Sequence, residues 1–281
     1  MEIEAIVNES EVLDYGRFDE IARTRRDEFV NARPFPHIVI DDFLAPDVAA
    51  AVHAEFDSTE QGWDHYRHYN EDKIALTNLA GMAPNTRSLV DALISRRFVD
   101  FVEALCGLPD LIADPELDGA GLHKVPSGGF LNMHTDFLSH TVHHDWSRQI
   151  NLLLYFNPDW QPSYRGGLEL WDAEMKGCEA RVEPVYNRCV LFHTTDTSYH
   201  GHPHALACPE GVERKSIALY YFRIENETQQ LTSTHYQARP DDPLLKRVLV
   251  AADRTALRAY SFLRRHTGLS DSMISRILKR F

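Results

Sequence analysis

Residues 119–225 break into short β-rich segments at turn residues, and no other feature constrains the fold as strongly. Apolar or alternating runs bounded by Gly, Pro, Asn and Asp read as strands. The candidates are Gly121 to Val125, Phe130 to His134, Gln149 to Phe156, Gly167 to Trp171, Ala180 to Pro184, Cys189 to His193, Tyr199 to His202 and Ser216 to Ile224. Pro126-Ser127-Gly128-Gly129, Asn157-Pro158-Asp159, Arg165-Gly166-Gly167 and Tyr186-Asn187-Arg188 carry the residues that turns require. This pattern predicts an antiparallel sandwich or barrel, with a jelly roll as its simplest form.

The chain before residue 119 is mostly helical in pattern. Asp19 to Val30 is helical, and Pro34-Phe35-Pro36 ends it before the β-rich run His37-Ile38-Val39-Ile40. A second helix starts near Pro46, and two more cover Thr86 to Ile94 and Arg97 to Cys106, where apolar residues recur every three or four positions. Gln61 to Pro84, with Trp63, His65, Tyr66, His68 and Tyr69, reads as a long loop or short strands near a mouth. After residue 240, Asp241-Asp242-Pro243 caps a further helix, and another begins near Ser270. The expected division is therefore 1–240, with helices to 118 and a β core over 119–225, followed by a helical extension over 241–281.

Within the β region, His134-Thr135-Asp136 places an imidazole and a carboxylate two residues apart. At an extended strand end both point the same way and can grip one face of a metal. His200 supplies a second imidazole, with His202 the fallback and His193 and His204 close by. Two histidines and one carboxylate with the remaining positions open suit non-haem Fe(II) in oxygen-activating sites. Farther on, Arg214 and Ser216 share one face of the last strand by period-two alternation, while Lys215 points away. A guanidinium clamps a carboxylate with two parallel hydrogen bonds, and a serine hydroxyl adds a third. Asn132, on the His134 face, is a candidate for the same ligand or for holding a turn.

Charge and cysteine usage exclude several classes. A formal net charge of −13 disfavours nonspecific contact with nucleic acid or anionic membranes. The balance is uneven, since residues 243–281 hold nine Lys or Arg against Asp253 and Asp271, about +7. Cys106, Cys178, Cys189 and Cys208 have no Cys-x-x-Cys spacing, which argues against a zinc site or disulfide framework. An acidic start and the lack of any long apolar run lead us to expect a cytoplasmic chain with no transmembrane segment.

Read together, these blocks resemble the Fe(II)- and 2-oxoglutarate-dependent dioxygenases, in the branch that includes prolyl 4-hydroxylases. The matching pieces are residues 34–44, Gly128-Gly129-Phe130-Leu131-Asn132-Met133-His134-Thr135-Asp136, Arg148 to Asn157, Gly166-Gly167-Leu168-Glu169-Leu170-Trp171, Ser198-Tyr199-His200-Gly201-His202-Pro203 and Arg214-Lys215-Ser216-Ile217-Ala218-Leu219-Tyr220-Tyr221. The resemblance implies a mainly β fold, a double-stranded β-helix (jelly roll, cupin-like) core with flanking helices. It implies Fe(II) and 2-oxoglutarate as cofactors, O2 as co-substrate and ascorbate as an in-vitro reductant. The implied reaction is hydroxylation of a C–H bond coupled to conversion of 2-oxoglutarate into succinate and CO2. The substrate class stays open between a prolyl residue, an amino acid, another small metabolite and a glycan. A non-catalytic binding module of the same fold is the contrasting class, and a homodimer is possible.

Prolyl hydroxylases often set a lysine against the cofactor's distal carboxylate, so strand register must choose here between Arg214 and Lys215. The presence of Asp136 favours hydroxylation or desaturation over halogenation, whose enzymes lack this carboxylate. Tyr155 and Trp171 read as core residues, and His140, His143 and His144 as a solvated loop. Alanine at His134 or Asp136 is expected to abolish turnover with little loss of fold.

Overall fold

The structure is a computed structural model, and it describes residues 12–58, 62–227 and 234–252. The first helix, α1 (Tyr15–Asn31), is capped by Asp14, whose carboxylate accepts from the Arg17 amide. It leads to β1 (His37–Ile40) and α2 (Pro46–Ser58). The segment expected to be loop or short strands is a hairpin, β2 (Asp64–His68) and β3 (Glu71–Leu76), ended by a short 3-10 turn. Next come α3 (Pro84–Ile94) and α4 (Arg96–Cys106). Proline starts α3, while Ser95 caps α4 and Gly107 ends it in a left-handed conformation. The buried Glu55 of α2 accepts from the Asn85 and Thr86 amides and side chains, so one carboxylate satisfies the start of α3.

The remaining strands are β4 (Leu111–Ala113), β5 (Gly121–Val125), β6 (Phe130–Thr135), β7 (Trp146–Tyr155), β8 (Leu168–Trp171), β9 (Cys178–Val182), β10 (Arg188–His193), β11 (His200–His202), β12 (Arg214–Ile224) and β13 (His235–Tyr236). Each of the eight strands read from the sequence is present. The two-residue β13 and three-residue β4 were too short to carry a period. The strands run β1-β10-β7-β12-β5-β3-β6-β11-β8-β9, and each described pairing is antiparallel. The hairpin strand β3 joins the two halves, pairing with both β5 and β6. The result is a nearly closed double-stranded β-helix, one wall β1-β10-β7-β12-β5 and the other β6-β11-β8-β9.

Alternation sorts each strand of the first wall between two environments. Ile150, Leu152 and Leu154 of β7, Leu191 of β10, and Ile217, Leu219 and Tyr221 of β12 join Phe18, Val52, Phe56, Leu89, Leu93, Phe98 and Phe101 of the helices in one core. The opposite faces look into the barrel, where Tyr155, Val190 and Phe192 meet Leu168, Leu170 and Val182 of the second wall. Arg214 and Ser216 share this inward parity, and Lys215 shares the parity of Ile217. Residues 244–252 form the helix expected after Pro243, and the helix expected from Ser270 lies outside the described residues. No helix of the described residues is long and apolar enough to cross a membrane.

Candidate functional site

His134 is the penultimate residue of β6 and His200 begins β11, and the two are directly paired across the strands. Their rings lie 4.4 Å apart between centroids. Asp136 sits two residues past His134, with Oδ1 3.4 Å from His134 Nε2 and Oδ2 3.3 Å from His200 Nε2. One ligand atom from each of the three falls within 4.8 Å of the others, the only such group among the described residues. His193, His202 and His204 stand outside it.

The aim of both imidazoles is fixed locally. His134 Nδ1 bonds the carbonyl of Asn132 at 2.8 Å, and His200 Nδ1 bonds that of Ser198 at 2.9 Å. A carbonyl partner requires Nδ1 to donate, which leaves each Nε2 lone pair facing the cluster. Burial and then His200 lower the His134 pKa, although Asp136 opposes them. Burial alone would raise the Asp136 carboxyl, but Arg148, His200 and His134 together hold it well below the ordinary carboxylate range. The three residues therefore offer two imidazole Nε2 atoms and one carboxylate oxygen to a common point.

Sequence reasoning missed the group that holds Asp136. Asn151 of β7 donates from Nδ2 to Asp136 Oδ2 at 2.6 Å, and Arg148 Nη2 reaches the same oxygen at 3.0 Å. Arg148 also donates from Nε to Asn151 Oδ1 at 2.7 Å. Its guanidinium lies over the Tyr220 ring, 3.3 Å from the centroid, and near Phe137 at 4.7 Å. At 2% exposure Arg148 is a buried cation whose charge is answered by Asp136.

At the other end of the barrel, Arg214 is buried against Tyr155. Its Nε donates to the Gly166 carbonyl at 2.8 Å, its Nη2 to the Tyr155 hydroxyl at 3.2 Å, and it packs on the Tyr155 ring. These bonds use two of its five N–H donors and leave the Tyr155 proton free to turn toward a ligand. Gly166 has a φ of +78°, and a Cβ there would stand 2.5 Å from Leu206 and 3.2 Å from Arg214 Cδ, so the contact needs glycine. Neither Glu210 nor Glu213 pairs with Arg214; Glu213 lies 4.0 Å from Lys124. Tyr155, expected as plain core, thus positions the guanidinium.

Ser216, paired with Tyr155 and His123, is buried beside Arg214. His123 is pushed down to about 3 by burial and by Lys73, Arg214 and Arg148, and burial, then Arg214 and His134, hold His202 well below its usual value. Asn132 is tied to the hairpin turn, its Nδ2 donating to Asn70 Oδ1 at 3.2 Å and to the Tyr69 carbonyl at 3.4 Å. Trp171 lies outside the barrel with Met133 and Met175. His140 corrects the solvated-loop expectation. It is fully buried, with Nδ1 accepting from the amides of Val142 and His143, Nε2 3.3 Å from Asp114, and its ring packed on Trp146 and Phe222.

The family model of the 2OG-Fe(II) oxygenase superfamily matches residues 120–222, which hold the three-residue cluster and Arg214. These residues form a 2OG-Fe(II) oxygenase domain. The fold of the oxygenase is that of prolyl hydroxylases. A Trichoplax adhaerens prolyl hydroxylase, solved with a peptide of the hypoxia inducible factor, aligns with a TM-score of 0.52 at 17% identity, covering 74% of this chain and 91% of its own. A Pseudomonas putida prolyl-4-hydroxylase aligns with a TM-score of 0.50 at 22% identity over 72% and 99%. A Phytophthora capsici prolyl 4-hydroxylase aligns with a TM-score of 0.52 at 17% identity over 97% and 96%. No curated protein sequence matches the chain. Fe(II) and 2-oxoglutarate are the cofactors that the matching family's name carries, and the donor set of the His-Asp-His cluster fits the metal.

Proposed function

We propose that this oxygenase hydroxylates an unactivated C–H bond, with His134, Asp136 and His200 holding Fe(II) and Arg214, Ser216 and Tyr155 holding the distal carboxylate of 2-oxoglutarate. The observation that carries the reading is the convergence of two backbone-anchored imidazoles and one carboxylate on a single point. The bound iron and 2-oxoglutarate, with O2, supply the oxidising power, and 2-oxoglutarate leaves as succinate and CO2.

This chain's residues bind and orient. Asn151 and Arg148 keep Asp136 Oδ2 engaged and turn Oδ1 toward the metal position. Asn151 and Tyr155, both on the inward face of β7, tie it to the two ends of the site. Four residue steps separate them, about 13 Å of strand. An elongated dicarboxylate laid between those ends meets a metal at one and a cation at the other. Phe192 packs on the His200 ring, at 4.7 Å between centroids, and with Val190 and Leu170 keeps water from that stretch.

A prolyl residue, in a peptide or as a small molecule, is the substrate class we favour, in keeping with the fold's likeness to prolyl hydroxylases. Residues 1–240 would form the catalytic unit, and most of the extension expected over 241–281 lies outside the described residues. The test is succinate formation from 2-oxoglutarate with added Fe(II) and ascorbate, run with prolyl peptides, free amino acids and sugars, with product masses recorded. Iron-dependent succinate and a mass gain of one oxygen on one class are expected. No iron-dependent turnover with any of them would favour a binding module instead.

A further inference from the structure

The helix of residues 244–252 turns its apolar side away from the protein. Leu244, Leu245, Val248 and Leu249 follow the spacing that puts four side chains on one side of a helix, yet they are 74%, 71%, 56% and 41% exposed. The other side faces inward, where Val250 is buried and Lys246 Nζ lies 3.1 Å from the buried Asp242 carboxylate. The Lys246 carbonyl accepts from the Tyr69 hydroxyl at 3.1 Å, which fastens the helix to the turn of the β2–β3 hairpin. Rolling the helix to bury its leucines would break both contacts. Leu244 and Val248 also line a groove of about 410 Å3 together with Met175, Ala238 and Pro240. An open apolar stripe beside a groove calls for a cover.

The described residues end at 252, and residues 253–281 follow. Among them Met273, Ile274, Ile277 and Leu278 repeat the spacing of the stripe, and Phe281 extends it. We propose that residues 270–281 dock on the stripe as an amphipathic helix, with Met273, Ile274, Ile277 and Leu278 covering Leu244, Leu245, Val248 and Leu249. The connection is long enough, since residues 253–269 can span up to roughly 55 Å and the stripe lies within about 12 Å of residue 252. Tethering also presents the segment at an effective concentration on the order of millimolar. A second copy fits less well, because four side chains present a few hundred Å2, and two such patches face to face fall short of the roughly 1,000 Å2 that a stable pair needs. An anionic lipid surface fits less well too, because Lys246 is engaged by Asp242 and leaves Arg247 as the one other basic side chain of residues 244–252.

The test places a reporter thiol in the stripe. Leu245→Cys is made in the full-length protein and in a chain ending at Leu269. Alkylation of the introduced thiol is followed by mass spectrometry of its peptide, which separates it from the native cysteines; light scattering gives the mass, and circular dichroism checks the fold. Alkylation should be at least tenfold slower in the full-length protein, at every dilution. Adding Ile277→Asp should raise it to the rate of the shortened chain, whereas Ser275→Asp, off the stripe, should not. Hydrogen exchange over residues 244–249, without the reporter, should likewise be slower in the full-length protein. Equal rates in the two chains overturn the proposal: equally fast means an open stripe, equally slow a cover from residues 253–269. Protection that fades on dilution from a doubled mass would give the stripe to a second copy, and protection only with phosphatidylserine vesicles would give it to a membrane. Either result overturns the proposal.

Discussion

The two faces of β7 and β12 do opposite things with the same backbone. On the helix side, Ile150, Leu152, Leu154, Ile217 and Leu219 are sealed into an apolar layer with the phenylalanines of α1 and α4. On the barrel side, one residue over, Asn151 bonds Asp136, Arg214 bonds the Tyr155 hydroxyl, and Ser216 is buried on the same face. Burial is similar on both faces, so burial does not separate structure from chemistry here. What separates them is whether a buried group is answered by the protein or by something it binds.

The hardest blow to this division should come from Asp136→Ala. It removes a ligand, so iron-dependent turnover should vanish, yet it also strips the buried Arg148 of its counter-charge. Unfolding in urea should show a loss on the order of 3–5 kcal/mol, because an uncompensated buried charge is expensive. Arg148 thus corrects the expectation that alanine at this ligand spares the fold. Loss of turnover with wild-type stability would show that Arg148 finds another partner. On the outer face, Leu152→Ala should cost about 2–5 kcal/mol in the same assay, while the folded fraction keeps wild-type affinity for Co(II). A shift in metal affinity there would mean that the two faces are coupled through the strand.

Arg214→Ala should raise the 2-oxoglutarate requirement in the succinate assay by roughly ten- to a hundredfold, the effect of losing one or two charge-assisted hydrogen bonds. Lys215→Ala, on the helix-side parity, should leave that requirement near wild type; the reverse result would move the clamp by one residue. The smallest effect is acid sensitivity. The His123 pKa is about 3 against an ordinary 6.5, so the unfolded state takes up the proton more readily. Its contribution to stability is complete above pH 6.5 and drains away as the pH falls toward 3. His123→Asn should lose less stability between pH 7 and 5 than wild type, measured by thermal unfolding.

Much of the fold was legible because the outer face follows simple alternation: Ile150, Leu152 and Leu154 sit where a period of two puts them. The same rule is why Arg148 was not. Counting back from Ile150 places it on the apolar helix side, but the register slips opposite Tyr221 and Phe222, and its side chain instead reaches Asp136 and lies over Tyr220. A bulge reverses the facing of every residue beyond it and leaves no mark in composition. His134, Asp136 and His200 were legible as a set because few other chemistries need those types at those spacings. Asn151 and Tyr155 looked like ordinary strand residues until their partners from distant strands were in place. The burial of His140 depends on Asp114, 26 residues earlier, and no local pattern announces such a pairing.

The two histidine rings each lean on a carbonyl only two residues back along the chain. The aim of the rings is thus set by the chain itself, and if they hold the ion, stripping it with a chelator should leave a shell that accepts a fresh one without refolding. Exchange of one divalent ion for another would then be a matter of solution chemistry.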